Sequence, residues 1–206
     1  MTSPVRPSIV VFDLGKVLLE WDPRHLYRTV FSDDAEMEQF LNTVTHAEWN
    51  LEQDRGRTWA EGIKEATARA PHYAREIALY RERWTEMQPC AIAGTVTLLA
   101  ALHHAHVPLY ALTNFAGDTL RETALRYDFF QYFNGIVISG DEAVIKPDAA
   151  IYHRLTTNYG LDLTHCIFID DVPKNVDAGK AVGMTGLLFT SPEQLAVDLR
   201  GLGFAV

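Results

Sequence analysis

Five short apolar segments, spread along the chain, constrain the fold more than any other feature of this sequence. Each is rich in β-branched or aliphatic residues and nearly continuous, without the alternation expected of a strand with one face in water. Continuous apolar strands are typical of a parallel sheet that is covered on both faces. The predicted strands are SIVVFDL (8–14), PLYALTN (108–114), GIVISG (135–140), CIFIDD (166–171) and TGLLFT (185–190).

Helical patterns separate the later strands. Residues 94–106 and 148–159 each place apolar side chains on one face, and Gly160 is the predicted C-cap of the second helix. Pro173 can open a third helix, and the motif SPEQ at 191–194 predicts a capping box at the start of the last one. This alternation predicts an α/β fold, a doubly wound parallel sheet with right-handed crossovers.

One interval breaks the alternation. Residues 20–92 contain several amphipathic helical patterns and no convincing strand, which predicts an inserted helical domain of small size. We expect it to form a cap over the strand ends, hinged near Glu20–Trp21 and Pro89–Gly94, that opens and closes to exclude water. The predicted organisation is an α/β core domain of residues 1–19 and 93–206 with a helical cap domain of residues 20–92.

Composition restricts the class of partner. The 206 residues are 48% hydrophobic and 22% charged, which suits a soluble globular protein with a sizeable core. No apolar run approaches the roughly 20 residues that cross a bilayer, and the first one is too short for a signal peptide. We therefore expect a cytoplasmic protein that engages no membrane. The net charge of −9 argues against nucleic acid as a partner, but a bound divalent cation would still admit a phosphorylated small molecule.

Polar groups stand at the carboxyl ends of four predicted strands, which is where open α/β sheets bind their ligands. One acid there commonly caps a turn or helix, whereas an acid, a hydroxyl, a lysine and two adjacent acids at one edge are far less expected by chance. The groups are Asp13, then Thr113 and Asn114, then Ser139 to Glu142 followed by Lys146, and finally the acid pair Asp170 and Asp171.

This set of side chains suits phosphoryl transfer. A carboxylate such as Asp13 can attack phosphorus and form an aspartyl-phosphate, which splits a difficult step into two. Asp13 and the acid pair offer the hard oxygen ligands that Mg²⁺ prefers. Lys146 would balance the charge of nucleophile and phosphate, while Thr113 and Asn114 would donate hydrogen bonds to phosphate oxygens.

The order of the motifs FDLGKV, LTN, KP and FIDD, with a helical insertion after the first, resembles the haloacid dehalogenase-like hydrolases. The resemblance extends over essentially the whole chain, and the chain looks most like bacterial phosphatases with a small helical cap after the first motif. It implies a role for each polar group at the strand ends. These roles are nucleophile and metal ligand for Asp13, metal ligand through its carbonyl for Gly15, phosphate binding for Thr113 with Asn114 beside it, charge neutralisation for Lys146, direct metal ligand for Asp171 and outer-shell partner for Asp170.

Gly15 departs from the family pattern. Most phosphatases of the family carry a second Asp at this position as the general acid/base for the leaving group, and they often carry an acid where this chain has Asn175. General acid catalysis contributes about 10²–10⁴-fold, so its loss slows turnover without abolishing it. We therefore expect a steep dependence of rate on leaving-group pKa, with Gly15 allowing a tight bend and presenting its carbonyl to the metal.

Three classes of function fit the sequence. The first is a Mg²⁺-dependent phosphatase of a small phosphorylated metabolite, with sugar phosphates among the candidates because some relatives with a DLG motif resemble sugar-phosphate phosphatases. The second is a haloacid dehalogenase, which uses the same nucleophile without metal and has no use for the acid pair. The third is a weakly active or non-catalytic phosphate-binding regulator on the same fold, which Gly15 keeps open.

The predicted cap also offers candidates for contact with the substrate. Trp49, Asn50, Gln53 and Asp54 are expected to form a wall of the substrate site, whereas Trp21, Trp59 and Trp84 are expected to pack within the cap. Lys16 is expected to occupy a surface turn.

Overall fold

The computed structural model describes residues 7–206; residues 1–6, the start of the predicted segment 1–19, lie outside the described part. Its sheet has five parallel strands in the order β3-β2-β1-β4-β5. The strands are β1 (Ile9–Phe12), β2 (Leu109–Thr113), β3 (Gly135–Ile138), β4 (Cys166–Asp170) and β5 (Thr185–Leu188). All five predicted strands are confirmed, each a little shorter than predicted.

Helices fill the intervals between the strands. Those in the interval of residues 20–92, called the insertion from here on, are α1 (Arg24–Tyr27), α2 (Asp34–Thr43), α3 (Ala47–Asp54), α4 (Trp59–Arg69) and α5 (Ala74–Glu82). The others are α6 (Ala93–His104), α7 (Gly117–Ala124), α8 (Ser139–Glu142), α9 (Ala149–Tyr159), α10 (Pro173–Ala181) and α11 (Pro192–Gly201). Four short 3₁₀ helices lie at Pro71–Tyr73, Trp84–Met87, Asp128–Tyr132 and Leu163–His165. Within residues 7–206, none of the helices combines the length and apolar character that crossing a membrane requires.

The central strand β1 shows why its sequence is continuously apolar. Successive side chains of a strand point to opposite faces of the sheet. Val10 and Phe12 join a buried cluster with side chains of α6 and α11, while Val11 joins a second buried cluster with α9. Both faces of the sheet are therefore covered by helices, and the predicted doubly wound α/β fold is confirmed.

The helix ends follow local signals in the sequence. Gly160 ends α9 in the left-handed conformation at φ 71°, as predicted. Ser191 caps α11 by accepting a hydrogen bond from the amide of Gln194, at 3.2 Å. The Gln194 side chain instead donates to Asp198 at 3.0 Å. A complete capping box forms in the insertion, between Thr58 and Glu61.

The insertion consists of helices and short connections, and it carries a large group of packed aromatic rings. Trp49 and Tyr80 lie with ring centroids 5.1 Å apart, and Trp59 and Trp84 lie 5.4 Å apart. These rings belong to the same continuous buried cluster as Val10 and Phe12 of the sheet. An isolated β-bridge between Leu19 and Ala91 joins the two ends of the insertion at its base.

Candidate active site

The parallel register brings the first, second and fourth motifs to one edge of the sheet. Phe12 at the end of β1 lies between Ala111 of β2 and Ile169 of β4. The next residue, Asp13, donates its backbone amide to the carbonyl of Ile169 at 2.8 Å. Asp13 therefore stands beside Asp170, as the sequence predicts for the carboxyl ends of adjacent strands.

Lys146 is buried at the centre of this edge, with a side chain that is 1% exposed. Its Nζ lies 2.9 Å from Oδ1 of Asp13 and 2.7 Å from Oδ2 of Asp170, and it donates to the carbonyl of Leu112 at 3.0 Å. An ammonium group has three N–H donors, so these three acceptors use all of them. Burial lowers the pKa of Lys146, but the carboxylates of Asp13 and Asp170 outweigh it and the pKa is raised. Lys146 therefore remains charged and balances the acids around it.

Asp13, Asp170 and Asp171 form a group of carboxylates that fits a divalent cation. One oxygen from each lies within 4.8 Å of the others. Burial raises the pKa of Asp13, with Lys146 opposing and Asp170 adding to the shift, and burial and Asp170 also raise the pKa of Asp171. Three carboxylates share the single positive charge of Lys146, so negative charge is left over, and hard oxygen donors are what Mg²⁺ prefers. The residues present therefore fit the metal that the sequence predicts.

The two members of the acid pair have different surroundings. Asp170 is fully buried, and besides Lys146 it accepts hydrogen bonds from the amide of Val172 at 2.8 Å and from Nδ2 of Asn175 at 3.1 Å. Asp171 is only half-buried and lines a cavity. Asn175, at a position where the family often has an acid, thus holds Asp170 in place.

Asn114 has a role that the sequence did not predict. Its Oδ1 accepts from the amide of Lys146 at 2.8 Å, and its Nδ2 donates to the carbonyl of Lys146 at 3.1 Å. The side-chain amide therefore holds the Lys146 backbone through both its oxygen and its nitrogen. Because Nδ2 has a second N–H and Asn114 lines a cavity, its contact with phosphate stays a prediction. Thr113, which is 1% exposed at the end of β2, keeps phosphate binding as its predicted role.

Gly15 does not provide the tight bend that was expected of it. Its φ lies outside the left-handed region, and a Cβ built on it would meet no heavy atom within 4 Å. The turn is made by the next residue, Lys16, at φ 57°. Lys16 is exposed, as predicted, and it also lines the cavity beside Gly15. Nothing in the described backbone therefore prevents a side chain at position 15.

Two adjoining cavities, of about 200 Å³ and about 640 Å³, open between the strand ends and the insertion. Both are lined by Lys16, Trp21, Asn50, Asp54, Asn114 and Val172. The smaller one also reaches Gly15 and Asp171, and the larger one also reaches Lys146.

The residues that the insertion contributes to these cavities are partly those expected and partly others. Of the predicted wall, Asn50 and Asp54 line both cavities. Gln53 packs inside the insertion, where its Nε2 donates to the carbonyl of Trp49 at 2.6 Å. Trp21 and Trp84, which were expected only to pack, line the smaller cavity. Sequence reasoning missed them because the sequence gives no signal of which way a tryptophan ring in this insertion faces.

A backbone seam joins the insertion to the core next to Asp54. Ser139 donates its hydroxyl to the carbonyl of Asp54. A Cβ on Gly56 would lie 2.9 Å from the carbonyl oxygen of Gly140, and a Cβ on Gly140 would lie 2.9 Å from that of Phe115. We call the contact of Gly56, Ser139, Gly140 and Phe115 the backbone seam. It places the end of α3 directly over the strand ends.

Comparison with known proteins supports this description of the fold. A sesquiterpene phosphatase of Aspergillus oryzae is 27% identical over 194 residues, covering 93% of this chain and 94% of the relative. An enzyme of Bacteroides thetaiotaomicron, crystallised with magnesium and inorganic phosphate, has a TM-score of 0.69 at 20% identity and covers 90% of this chain and 95% of its own. L-2-haloacid dehalogenase of Xanthobacter autotrophicus has a TM-score of 0.65 at 17% identity. The match covers 97% of this chain and 85% of the dehalogenase chain. The sequence model of the haloacid dehalogenase-like hydrolase family matches residues 7–183 of this chain. The chain therefore belongs to the haloacid dehalogenase-like hydrolases.

Proposed function

We propose that this hydrolase is a Mg²⁺-dependent phosphatase that cleaves a small phosphorylated molecule through an aspartyl-phosphate on Asp13. The observation that carries the proposal is the buried group of Asp13, Lys146 and the acid pair, in which one lysine lies between two carboxylates beside a third. This arrangement combines a nucleophile, a fixed positive charge and a set of metal ligands at the mouth of a cavity.

Each residue of the group has a task in this chemistry. Asp13 attacks the phosphorus atom, and the bond from phosphorus to the ester oxygen breaks. Lys146 holds the attacking carboxylate at 2.9 Å and balances its charge, while Thr113 donates to a phosphate oxygen. Mg²⁺, held by Asp13, Asp171 and the carbonyl of Gly15 with Asp170 behind them, would supply positive charge to the phosphate oxygens. Water then attacks the aspartyl-phosphate and releases phosphate and free Asp13.

The relatives support phosphatase over dehalogenase activity. The Aspergillus relative that matches nearly the whole chain is named a phosphatase, and a structural neighbour binds magnesium and phosphate. Similarity to the haloacid dehalogenase concerns the fold. The acid pair at Asp170 and Asp171 also favours the phosphatase, because a metal-free dehalogenase has no need of it.

The aromatic side of the cavity favours a substrate with an apolar organic part. The ring centroids of Trp21 and Trp84 lie 6.4 Å apart, and those of Trp84 and Phe115 lie 5.7 Å apart. All three line the smaller cavity, which also reaches Gly15 and Asp171. Burying an apolar group against such rings is favourable. We therefore place apolar and aromatic phosphate esters ahead of sugar phosphates.

The insertion is the proposed cap of this enzyme, over a core of residues 1–19 and 93–206. Its side chains Asn50 and Asp54 face the strand ends across both cavities, which supports this division. A cap that closes on the substrate would become more protected from hydrogen exchange in residues 20–92 when phosphate binds with Mg²⁺. Unchanged exchange throughout this range would contradict a moving cap.

A panel of phosphate esters, assayed with Mg²⁺ and with a chelator, tests the function. The panel contains aryl, prenyl, sugar and serine phosphates and a short haloacid. We expect hydrolysis of phosphate esters with Mg²⁺ only, fastest for those with apolar organic parts. Halide release that persists in chelator would instead identify a dehalogenase, and absence of all hydrolysis combined with measurable binding of phosphate would favour a binding protein.

A further inference from the structure

The missing carboxylate at Gly15 leaves the proposed phosphatase reaction without an acid. When the phosphorus–oxygen bond of an alkyl ester breaks, the leaving oxygen is a strong base and needs a proton. An Asp at position 15 would fill this role in most relatives, and here there is open space instead. The inference that follows rests on the proposed phosphatase function.

Asp54, at the end of α3, faces the site from the opposite wall. It lines the smaller cavity together with Gly15 and Asp171, and the larger one together with Lys146. The residue is only 7% exposed, so it belongs to the interior of the site rather than to the surface of the insertion. A buried carboxyl group is unfavourable unless it is hydrogen-bonded or neutral, which makes a carboxyl in this position unusual for a purely structural residue.

A chain of hydrogen bonds fixes the direction of the Asp54 carboxyl. The hydroxyl of Tyr80 donates to Oδ1 of Asn50 at 3.2 Å, and Nδ2 of Asn50 donates to Oδ2 of Asp54 at 3.2 Å. Asn50 and Asp54 stand one helical turn apart on α3 and so share a face. The backbone seam holds the same residue from the other side, through the bond from Ser139 to its carbonyl. Asp54 is thus held in one orientation from two directions.

The surroundings of Asp54 also raise its pKa from the usual acidic range toward neutral pH. Burial raises the pKa of Asp54 to about 7, against a hydrogen bond from the backbone amide of Ala116. The titratable groups that interact with it are Asp13, which raises its pKa, Lys146, which lowers it, and Tyr80. A general acid acts best when its pKa lies near the working pH.

We propose that Asp54 is the general acid and base of this enzyme, supplied by the insertion in place of the side chain absent at Gly15. As Asp13 attacks phosphorus and the ester bond breaks, the carboxyl proton of Asp54 passes to the leaving oxygen, giving the free alcohol. The Asp54 carboxylate then takes a proton from the water that attacks the aspartyl-phosphate. The bond from phosphorus to Asp13 breaks, phosphate leaves, and both carboxyl groups return to their starting states.

The test compares two esters of similar size whose leaving groups differ in basicity, p-nitrophenyl phosphate and benzyl phosphate. Asp54→Asn keeps the shape of the side chain but cannot transfer its proton. We expect kcat/KM for benzyl phosphate to fall by about 10²–10⁴-fold, and that for p-nitrophenyl phosphate by less than about 10-fold. The natural protein should then show only a shallow dependence on leaving-group pKa, the opposite of what Gly15 predicts when no other acid is considered.

Two further variants separate acid catalysis from structural effects. Adding Gly15→Asp to Asp54→Asn should restore much of the benzyl phosphate activity, because it returns a carboxyl group to the cavity where space is open. Asp118→Asn is the matched control, because Asp118 also links core and insertion, through Nε1 of Trp59 at 3.2 Å, but belongs to neither cavity lining. It should leave the ratio of the two rates unchanged.

The possible results test the role of Asp54 separately from the proposed phosphatase function. Equal losses for both esters in Asp54→Asn, with thermal unfolding unchanged, would overturn the role of Asp54 and leave the phosphatase standing. Loss of the fold in Asp54→Asn would move the comparison to Asp54→Ser, which also lacks a proton acidic enough to transfer; a benzyl-to-nitrophenyl ratio equal to that of the natural protein would then overturn the role of Asp54. Absence of any Mg²⁺-dependent hydrolysis in the natural protein would overturn both.

Discussion

The strand ends and the facing side of the insertion enclose the same cavities, but they differ in chemistry and in how their residues are held. At the strand ends, charged groups are tied to one another at short range, as in the contacts of Lys146 with Asp13 and Asp170. On the insertion side of the smaller cavity, apart from Asn50 and Asp54, the wall consists of the rings of Trp21 and Trp84, which pack against or belong to the hydrophobic cluster; the larger cavity also meets polar side chains of the insertion such as Asp22, Arg24 and Glu48. The difference teaches that catalysis and substrate selection belong to different walls. The strand ends suit the phosphate group common to all substrates, and the insertion suits the organic part that varies.

The largest expected effect comes from the nucleophile. Asp13→Asn should lower turnover of p-nitrophenyl phosphate with Mg²⁺ by about 10³-fold or more, because no covalent intermediate can form. The matched control is Asp162→Asn, an exposed acid that precedes β4 at the opposite edge of the sheet and should retain activity. Well-folded Asp13→Asn protein that still turns over would show that the strand ends are not the reacting wall.

The next largest effect is on stability. Lys146→Met leaves Asp13 and Asp170 buried without their shared counter-charge, so the free energy of unfolding should fall by about 3–5 kcal/mol in chelator. Lys64→Met removes an exposed lysine from α4 of the insertion and should change the free energy of unfolding by less than about 0.5 kcal/mol. Urea unfolding measures both. Similar small values would mean that the charged wall does not depend on its central lysine.

Mg²⁺ affinity should depend more on one member of the acid pair than on the other. Asp171→Asn removes the member that lines the cavity, and Asp170→Asn removes the one enclosed by Lys146, Val172 and Asn175. We expect Asp170→Asn to weaken Mg²⁺ binding by about 10-fold and Asp171→Asn by more, as measured by isothermal titration calorimetry. The reverse order would exchange the roles that the family resemblance assigns to the two residues.

The smallest effect should come from the aromatic wall. Trp21→Ala should raise KM for an apolar aryl phosphate by about 10-fold with little change in kcat, because the ring contacts the organic part and not the phosphate. Acetyl phosphate, which has almost no organic part, should keep its KM. The control is Leu125→Ala, which truncates a side chain that is 90% exposed at the end of α7, outside the insertion. An equal rise in KM for acetyl phosphate would tie Trp21 to the phosphate instead.

The two walls also differ in how far the sequence predicts them. Asp13 and Asp170 were predictable because each stands at the end of a recognisable apolar strand, and parallel strands bring their ends to one edge, whereas Lys146 was predicted from its KP motif and the order of the motifs. The helical character of the insertion was predictable, but not which of its faces meets the site. Trp21 and Gln53 were assigned to the wrong surroundings for this reason, since the direction of a side chain there depends on packing between distant segments.

Local backbone geometry was similarly outside the reach of sequence patterns. Gly15 was expected to make the turn after β1, and Lys16 makes it instead. Asn114, whose contact with phosphate stays a prediction, also holds the backbone of Lys146, which the sequence did not indicate. In both cases the residue type allowed several roles, and the choice among them is made by neighbours that are remote in sequence.

The backbone seam has a consequence for how such an enzyme can diversify. At Gly56 and Gly140 the insertion meets the core main chain to main chain, and the Ser139 hydroxyl also donates to the Asp54 carbonyl there, so the position of the insertion depends on few side chains at the seam. Trp21, which is only partly buried, can then be exchanged during evolution or in the laboratory without displacing Asp54 from its place above the strand ends, whereas Trp84 also packs against Trp59 and Tyr80 of the insertion. New substrate ranges are therefore accessible through mutations in the aromatic wall alone, while bulkier residues at either glycine should be tolerated poorly whatever the substrate.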